Sequence, residues 1–270
     1  MKEFFGFGGY ERLPEGFFSW QHIAFVSTVL LVAVLLAVVL GRKNQKRTEA
    51  EKNRVLVVSA ILLDAIELIR IVIVCFREGN AMNWIYNLPL FLCSIQLIVL
   101  PLAAFSKGRM REAALDFVSI FGALGMVLGM YGAGQNYNAY PVLSFDNVFS
   151  ALTHSIAGFA ALYIMIVGLA SMKRENIWIT FAILMGFCVT AYAVNLLIGY
   201  NYMFLMRHDG TPYQIVYDFV GGSPVLYPLA VVGLFLVYIT VFYGVWFMIA
   251  GAIRNAERAA GKQNGLKISI

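Results

Sequence analysis

Residues 87–105 read NLPLFLCSIQLIVLPLAAF, and this stretch is long enough and apolar enough to enter a lipid bilayer. It nevertheless carries a thiol, a hydroxyl and an amide, at Cys93, Ser94 and Gln96. Hydrocarbon offers no water to such groups, so they must face the protein interior or an aqueous cavity. Two prolines bracket the stretch, and the second, Pro101, frees a backbone carbonyl one turn earlier and predicts a bend. A bent helix with buried polar atoms indicates a cavity.

The composition on either side of this stretch is that of a membrane protein. Of the 270 residues, 60% are hydrophobic and only 13% are charged, whereas a soluble domain has roughly 25% charged residues. Apolar runs of about 20 residues recur along the chain, which predicts one all-α bundle with no extramembrane domain. Most Lys and Arg residues lie in short loops between these runs, a topology signal that does not indicate nucleic-acid binding. The chain has no Asn-x-Ser/Thr sequon, which favours a bacterial plasma membrane.

The apolar runs predict a polytopic protein with seven transmembrane helices, near residues 19–40, 55–76, 87–105, 112–131, 147–172, 177–205 and 224–253. The first loop, 41–54, contains six Lys and Arg residues, and the positive-inside rule places it in the cytoplasm. The N-terminus is then outside and the C-terminus cytoplasmic. We expect three regions, an interfacial aromatic segment at 1–18, the bundle at 19–253 and a basic cytoplasmic tail at 254–270.

This topology also predicts depth, because each helical residue advances about 1.5 Å along its axis. Five polar residues fall at a similar depth in the outer half of the bundle, namely Glu67, Arg70, Cys93, His154 and Asn195. Helix order and rotation do not follow from the sequence, so contact among the five is a hypothesis.

A cysteine and a histidine at one depth are the parts of an acyl-transfer site. The imidazole of His154 would take the thiol proton of Cys93, and the thiolate would then attack an ester. Glu67, Asn195 or the hydroxyl of Ser150 could orient the imidazole.

Further side chains are candidates for charge stabilisation and for substrate binding. The backbone N–H of Ser94, the amide of Gln96 or that of Asn195 could stabilise an oxyanion. Arg70, Asn201 and Arg207 are the candidates for binding a phospholipid, the arginines through its phosphate.

Simpler interpretations compete with each of these roles. Cys93 could be a small packing residue, and His154 could make a structural hydrogen bond to a carbonyl. Asp64, Glu67 and Arg70 share one side of a helix and could form an internal ion-pair network. The other candidates also have simpler structural roles. Asn195 and Asn201 could form hydrogen bonds between helices, Gly125 and Gly129 could allow close helix contact, and Cys188 could pack in the core. The sequence also allows a disulfide between Cys75 and Cys93.

Three short motifs occur in a suggestive order: LPLFLCS at 88–94, THS at 153–155, and Asn195 followed by NYMFL at 201–205. In these motifs and in its helix count the chain resembles the YwaF / transmembrane protein 164 family. The eukaryotic branch of that family is described as a cysteine-dependent acyltransferase that moves a fatty acyl chain between phospholipids. The resemblance implies that Cys93 is the nucleophile and His154 its partner. Bacterial members often carry a histidine two residues before the cysteine, where this sequence has Phe91.

The leading hypothesis is therefore a membrane-embedded phospholipid acyltransferase or lipase-like hydrolase, with membrane phospholipid as its partner and no metal or other cofactor. The alternative is a non-catalytic seven-helix transporter or small-molecule receptor whose polar residues line an intramembrane pocket. The acyl donor, the acceptor and the oligomeric state do not follow from the sequence.

Overall fold

The structure is a computed structural model that describes residues 2–259, and every regular element in that range is helical. Lys262 and Lys267 of the predicted basic tail lie outside the described residues. The helices are α1 (Lys2–Phe5), α2 (Trp20–Asn44), α3 (Glu49–Arg77), α4 (Gln96–Phe105), α5 (Gly108–Tyr131), α6 (Gly134–Ala139), α7 (Phe145–Val167), α8 (Asn176–Ile198), α9 (Gln214–Phe219) and α10 (Leu226–Ala259), with 3-10 turns at Ala81–Asn87 and Tyr202–Phe204.

Within residues 2–259, five helical stretches are long and apolar enough to cross a membrane, namely Trp20–Asn44, Gly108–Ala139, Phe145–Val167, Asn176–Ile198 and Leu226–Ala252. An all-α, multi-pass membrane protein is thereby confirmed. The count of seven spans and the predicted orientation stay predictions, because the second and third predicted spans, in α3 and α4, are not among these five.

The third predicted span is not one continuous helix. Only its second half is helical, as α4, which has 10 residues and contains Pro101. Leu88, which precedes Pro89, has an extended backbone with φ −63° and ψ 151°, as expected for a residue before proline. The chain then passes through a turn at 91–95 before α4 begins. Cys93 therefore lies in the turn that leads into a short helix.

The chain forms two compact units, Met1–Ala170 and a second one that starts at Ser171, a division for which the sequence gives no sign. In the first unit α5 packs against α7 and α4, while α2 and α3 pack against α7. Of the five apolar stretches, Gly108–Ala139, which contains α5, is the most buried, with 67% of its most apolar segment inside the protein. In the second unit α10 packs against α8 and α9.

Side chains and glycines define the ends of the helices. Thr48 and Glu51 form a capping box at the start of α3, and Ser144 accepts the backbone N–H of Asn147 at the start of α7. Helix α7 ends at Gly168, which has a left-handed conformation with φ 71° that glycine adopts without strain. These signals fix where α7, the helix that carries His154, begins and ends.

The N-terminal segment contacts the protein at the ends of α3 and α7. The hydroxyl of Tyr10 donates to Asp146 Oδ2 at 2.6 Å, and Arg77 forms an ion pair with the same carboxylate. The side chains of Arg77 and Asp146 are only 8% and 10% exposed. Burial and the Asp146 carboxylate raise the pKa of Tyr10, so the phenol keeps its proton and donates it. Whether residues 1–18 also lie on the bilayer stays a prediction.

Candidate functional site

Cys93 lies in the turn at 91–95, whose geometry depends on Ser94. The backbone N–H of Phe91 donates to Ser94 Oγ at 3.0 Å, and the Ser94 hydroxyl donates to the Phe91 carbonyl at 3.1 Å. The backbone N–H groups of Cys93 and Ser94 lie close to the Cys93 sulfur. Cys93 is partly exposed. All three cysteines, Cys75, Cys93 and Cys188, are free thiols. The turn thus presents an accessible thiol with two amides close to its sulfur.

The side chains of Cys93 and His154 lie close enough to interact with each other. Both lie against the same point on α5, because a Cβ atom added to Gly125 would lie 3.8 Å from Cys93 Cβ and 4.0 Å from His154 Cδ2. The contact joins the turn before α4 with α7 across a glycine of α5. The structure therefore brings together the two residues that the sequence predicted at one depth.

The ring of His154 is oriented by its own helix. His154 Nδ1 lies 2.7 Å from the carbonyl oxygen of Ser150, one turn earlier in α7. A carbonyl can only accept, so Nδ1 carries the proton and Nε2 is the nitrogen with a free lone pair. Nε2 is then the acceptor for the thiol proton of Cys93. The Ser150 carbonyl therefore orients the imidazole, whereas the sequence suggested the Ser150 hydroxyl for this role.

Glu67 and Arg70 lie beside this pair and bind each other. Arg70 Nε donates to Glu67 Oε2 at 2.9 Å, and Arg70 Nη2 donates to Asn87 Oδ1 at 2.9 Å. The Glu67 carboxylate interacts electrostatically with His154, and Arg70 with Cys93. Of the ion-pair network predicted for Asp64, Glu67 and Arg70, the pair between Glu67 and Arg70 is present. Asn87 was missed, although it directly precedes the LPLFLCS motif.

Two polar side chains near the site have buried atoms without a hydrogen-bond partner among the described residues. Gln96, three residues after Cys93, is 1% exposed, and both atoms of its amide are unpaired. Asp64, one turn before Glu67, has an unpaired Oδ1. An unpaired buried polar atom costs free energy unless a ligand or water satisfies it. These atoms are therefore available to a bound molecule.

Three other predicted site residues belong to the second unit and hold a loop there. The amide of Asn195 donates to the Tyr202 carbonyl at 3.0 Å and accepts the Tyr202 N–H at 2.6 Å. The amide of Asn201 donates to the Arg207 carbonyl and to the Asp209 carboxylate, both at 2.7 Å. These contacts show that Asn195 and Asn201 anchor a loop, and the orienting, oxyanion and substrate-binding roles predicted for them stay predictions. Their amides are already occupied by that loop.

Arg207 belongs to the same loop, and its side chain is 54% exposed. Its Nε donates to Asp209 Oδ1 at 2.7 Å. Of the three predicted substrate-binding residues, Arg207 is the one with a largely exposed charged group.

The glycines of α5 have two different neighbours. Gly122 packs against the α7 backbone, since an added Cβ would lie 2.7 Å from the Ala157 carbonyl oxygen. This is the close helix contact that a glycine-rich face predicts. Gly129 instead faces the ring of His154. The sequence analysis assigned Gly129 to helix contact, and its proximity to the ring could not be predicted without the rotation of α7.

Comparison with known proteins agrees with the motifs and the helices. The family model described as TMEM164 family matches residues 17–252, which covers the site and all five apolar stretches. No curated protein and no solved structure matches the chain. The resemblance seen in the sequence is thus confirmed over most of its length, and the chain belongs to the TMEM164 family.

Proposed function

We propose that this protein is a membrane-embedded acyltransferase that moves a fatty acyl chain from a phospholipid to a lysophospholipid through Cys93. The observation that carries the proposal is the proximity of the Cys93 and His154 side chains at Gly125, with Nδ1 of His154 held by the Ser150 carbonyl. A nucleophile, a base and a third group that orients the base form the arrangement used in nucleophilic catalysis. Membership of the TMEM164 family and the location within a bilayer support a lipid substrate.

In the first half-reaction, His154 Nε2 accepts the thiol proton and the Cys93 sulfur attacks the ester carbonyl of the donor phospholipid. The carbonyl π bond opens to an oxyanion, which then re-forms the carbonyl and expels the alkoxide of the lysophospholipid. The imidazolium of His154 gives its proton to that alkoxide. The products are a thioester on Cys93, a free lysophospholipid and a neutral imidazole.

The second half-reaction reverses these steps with another lysophospholipid. Its hydroxyl gives a proton to His154 Nε2, its oxygen attacks the thioester, and the sulfur leaves and is reprotonated by the imidazolium. Water in place of that hydroxyl would give hydrolysis, so transfer requires that the site favour the lipid hydroxyl over water.

Gln96 and Ser94 are the candidates for stabilising the oxyanion. The amide nitrogen of Gln96 carries two hydrogens and has no partner among the described residues, and the Ser94 N–H lies close to the reacting sulfur. A preorganised donor in a water-poor site stabilises a developing oxyanion strongly. Arg70, which lies beside the Cys–His pair in the first unit, is the candidate for the lipid phosphate.

The test uses a protein with Cys93 as its only cysteine, obtained by Cys75→Ala and Cys188→Ala, since the chain contains 3 cysteines. In nanodiscs with a phospholipid bearing a deuterated acyl chain and an unlabelled lysophospholipid, mass spectrometry should detect label on the acceptor. Intact mass should show an acyl group on Cys93 that hydroxylamine removes. Cys93→Ala should abolish transfer, and His154→Ala should slow it by about 100-fold or more.

The matched control is Cys188→Ala in the otherwise native chain, which removes a buried thiol that is not part of the site. It should leave the rate unchanged. The proposal is wrong if a folded Cys93→Ala protein transfers acyl chains at the rate of the native protein.

The unpaired atoms of Asp64 and Gln96 favour a second candidate, a non-catalytic transporter or receptor with a polar pocket. Such a protein would bind its solute equally well after Cys93→Ala and would show no lipid turnover. Solute binding that disappears after Asp64→Asn and Gln96→Leu, but persists after Cys93→Ala, would favour this candidate.

A further inference from the structure

Helix α5 passes directly over the ring of His154 at Gly129. A Cβ atom added to Gly129 would overlap Cδ2 and Nε2 of the imidazole and would lie 2.9 Å from its Cγ. Real Cβ atoms do not approach other heavy atoms this closely. The three nearest heavy atoms all belong to the ring, so His154 occupies the space that any other residue at position 129 would require.

Gly125, one turn earlier on α5, differs sharply. An added Cβ there would lie 3.8 Å from Cys93 Cβ and 4.0 Å from His154 Cδ2, which is ordinary van der Waals contact. The two positions therefore differ in the space that they leave for a side chain. Only Gly129 is required for the ring to lie where it does.

Two constraints then act on the imidazole. The Ser150 carbonyl holds Nδ1, and the α5 backbone at Gly129 bounds the side of the ring that carries Nε2 and Cδ2. Nε2 is the atom left to face the Cys93 thiol. A methyl group at position 129 would overlap Nε2 and Cδ2, and rotation of the ring about the Nδ1 hydrogen bond is the simplest movement that relieves this overlap and moves Nε2.

We propose that Gly129 is a positioning residue, which sets His154 Nε2 against Cys93 by leaving no side chain between α5 and the ring. This inference rests on the proposed function, since it assigns Gly129 to the geometry of the same Cys–His pair. It differs from helix packing, for which Gly122 is the example on the same helix: the neighbour of Gly122 is the Ala157 carbonyl of the α7 backbone.

The experiment is a double-mutant cycle in the protein whose only cysteine is Cys93. The rate of alkylation by iodoacetamide is read by intact mass, and the melting temperature is measured in the same detergent. Gly129→Ala should slow alkylation by about tenfold or more and His154→Ala by a similar factor. Gly129→Ala should have no further effect when His154 is already alanine, because the ring that it displaces is gone. Gly125→Ala, the same change one turn away, should leave the rate within about twofold, since its Cβ meets ordinary contact distances.

Melting temperatures keep the proposal testable if Gly129→Ala folds poorly. The overlap predicts a lower melting temperature for Gly129→Ala in the protein that has His154 and recovery in the His154→Ala background. Equal effects of Gly129→Ala on rate and melting temperature in both backgrounds would overturn the proposal, because Gly129 would then serve helix packing alone. If His154→Ala left the alkylation rate unchanged, His154 would not act as the general base and the proposed function would be wrong. Recovery of the melting temperature alone would then decide whether Gly129 positions the ring.

Discussion

Arg77 and Asp146 meet in a two-point ion pair, with Nη1 2.6 Å from Oδ2 and Nη2 3.1 Å from Oδ1. Because both side chains are buried, neutralising Asp146 removes the buried partner of Arg77 and leaves it the half-exposed carboxylate of Glu78. Asp146→Asn should lower the free energy of unfolding by about 3 kcal/mol, measured by tryptophan fluorescence in detergent. The control is Glu49→Gln, which breaks the pair with Arg111 where Glu49 is 70% exposed and should cost at most about 1 kcal/mol. Equal effects would mean that the buried pair has no special role.

Acid should loosen the N-terminal segment through Glu15. The Glu15 carboxylate accepts the backbone N–H of Val142 at 2.8 Å. Burial alone would raise the pKa of Glu15, but the Val142 N–H and Arg12 outweigh it and hold the pKa below its ordinary value of 4.5. A lowered pKa in the folded state contributes stability that is complete above 4.5 and is lost as the pH falls through the folded value.

Hydrogen exchange at the Val142 amide should therefore accelerate below pH 4.5 beyond the intrinsic pH dependence of exchange. Glu15→Gln should remove this extra pH dependence, because the side-chain amide of glutamine does not titrate. Protection that is independent of pH in the native protein would contradict the prediction.

Asn195 should be required for the loop of the second unit to stay closed. Asn195→Ala removes the two hydrogen bonds that the amide makes with the N–H and carbonyl of buried Tyr202 and should cost about 2 kcal/mol. Trypsin should then cleave after Arg207 faster than in the native protein. Thr190→Ala, on the same helix, removes an exposed hydroxyl that bonds only to Gly186 and should leave cleavage unchanged. A loop that resists trypsin equally in both variants would show that other contacts hold it.

Gln96→Met should separate stability from function. The substitution replaces an unpaired buried amide with an apolar side chain of similar volume, which should raise the free energy of unfolding by about 1 kcal/mol. If the amide stabilises the oxyanion, acyl transfer should fall by about 100-fold while iodoacetamide still alkylates Cys93 at the native rate. A more stable variant with unchanged transfer would remove Gln96 from the proposed mechanism.

Residue counting along helices predicted a common depth for Cys93 and His154 because the rise per residue is nearly constant. It could not predict that the two side chains face each other, since rotation about the helix axis is set by packing against α5. The Arg77–Asp146 pair was missed for a related reason. The two residues are 69 positions apart, and each lies at a helix end where charge is unremarkable.

The third predicted span shows where the sequence signal fails. Pro89 suits a helix start, yet α4 begins only at Gln96, because the residue before a proline is driven into an extended conformation and Ser94 then closes a turn on Phe91. The hydrophobicity of an apolar run of membrane length does not show where the helix within it is interrupted. Asn195 and Asn201 were expected to bond between helices, but a polar side chain near a helix end can equally serve the loop that follows.

The shortness of α4 has a consequence for biosynthesis. A helix of 10 residues extends about 15 Å, half of the roughly 30 Å hydrocarbon thickness. It cannot partition into the bilayer by itself as it leaves the ribosome. Only Ser106 and Lys107 separate it from α5, so the two helices must enter as a hairpin. In a nascent chain that ends at Phe105, α2 can insert but the α4 segment should stay outside the hydrocarbon. The turn at Cys93 is therefore assembled only after α5 has been synthesised.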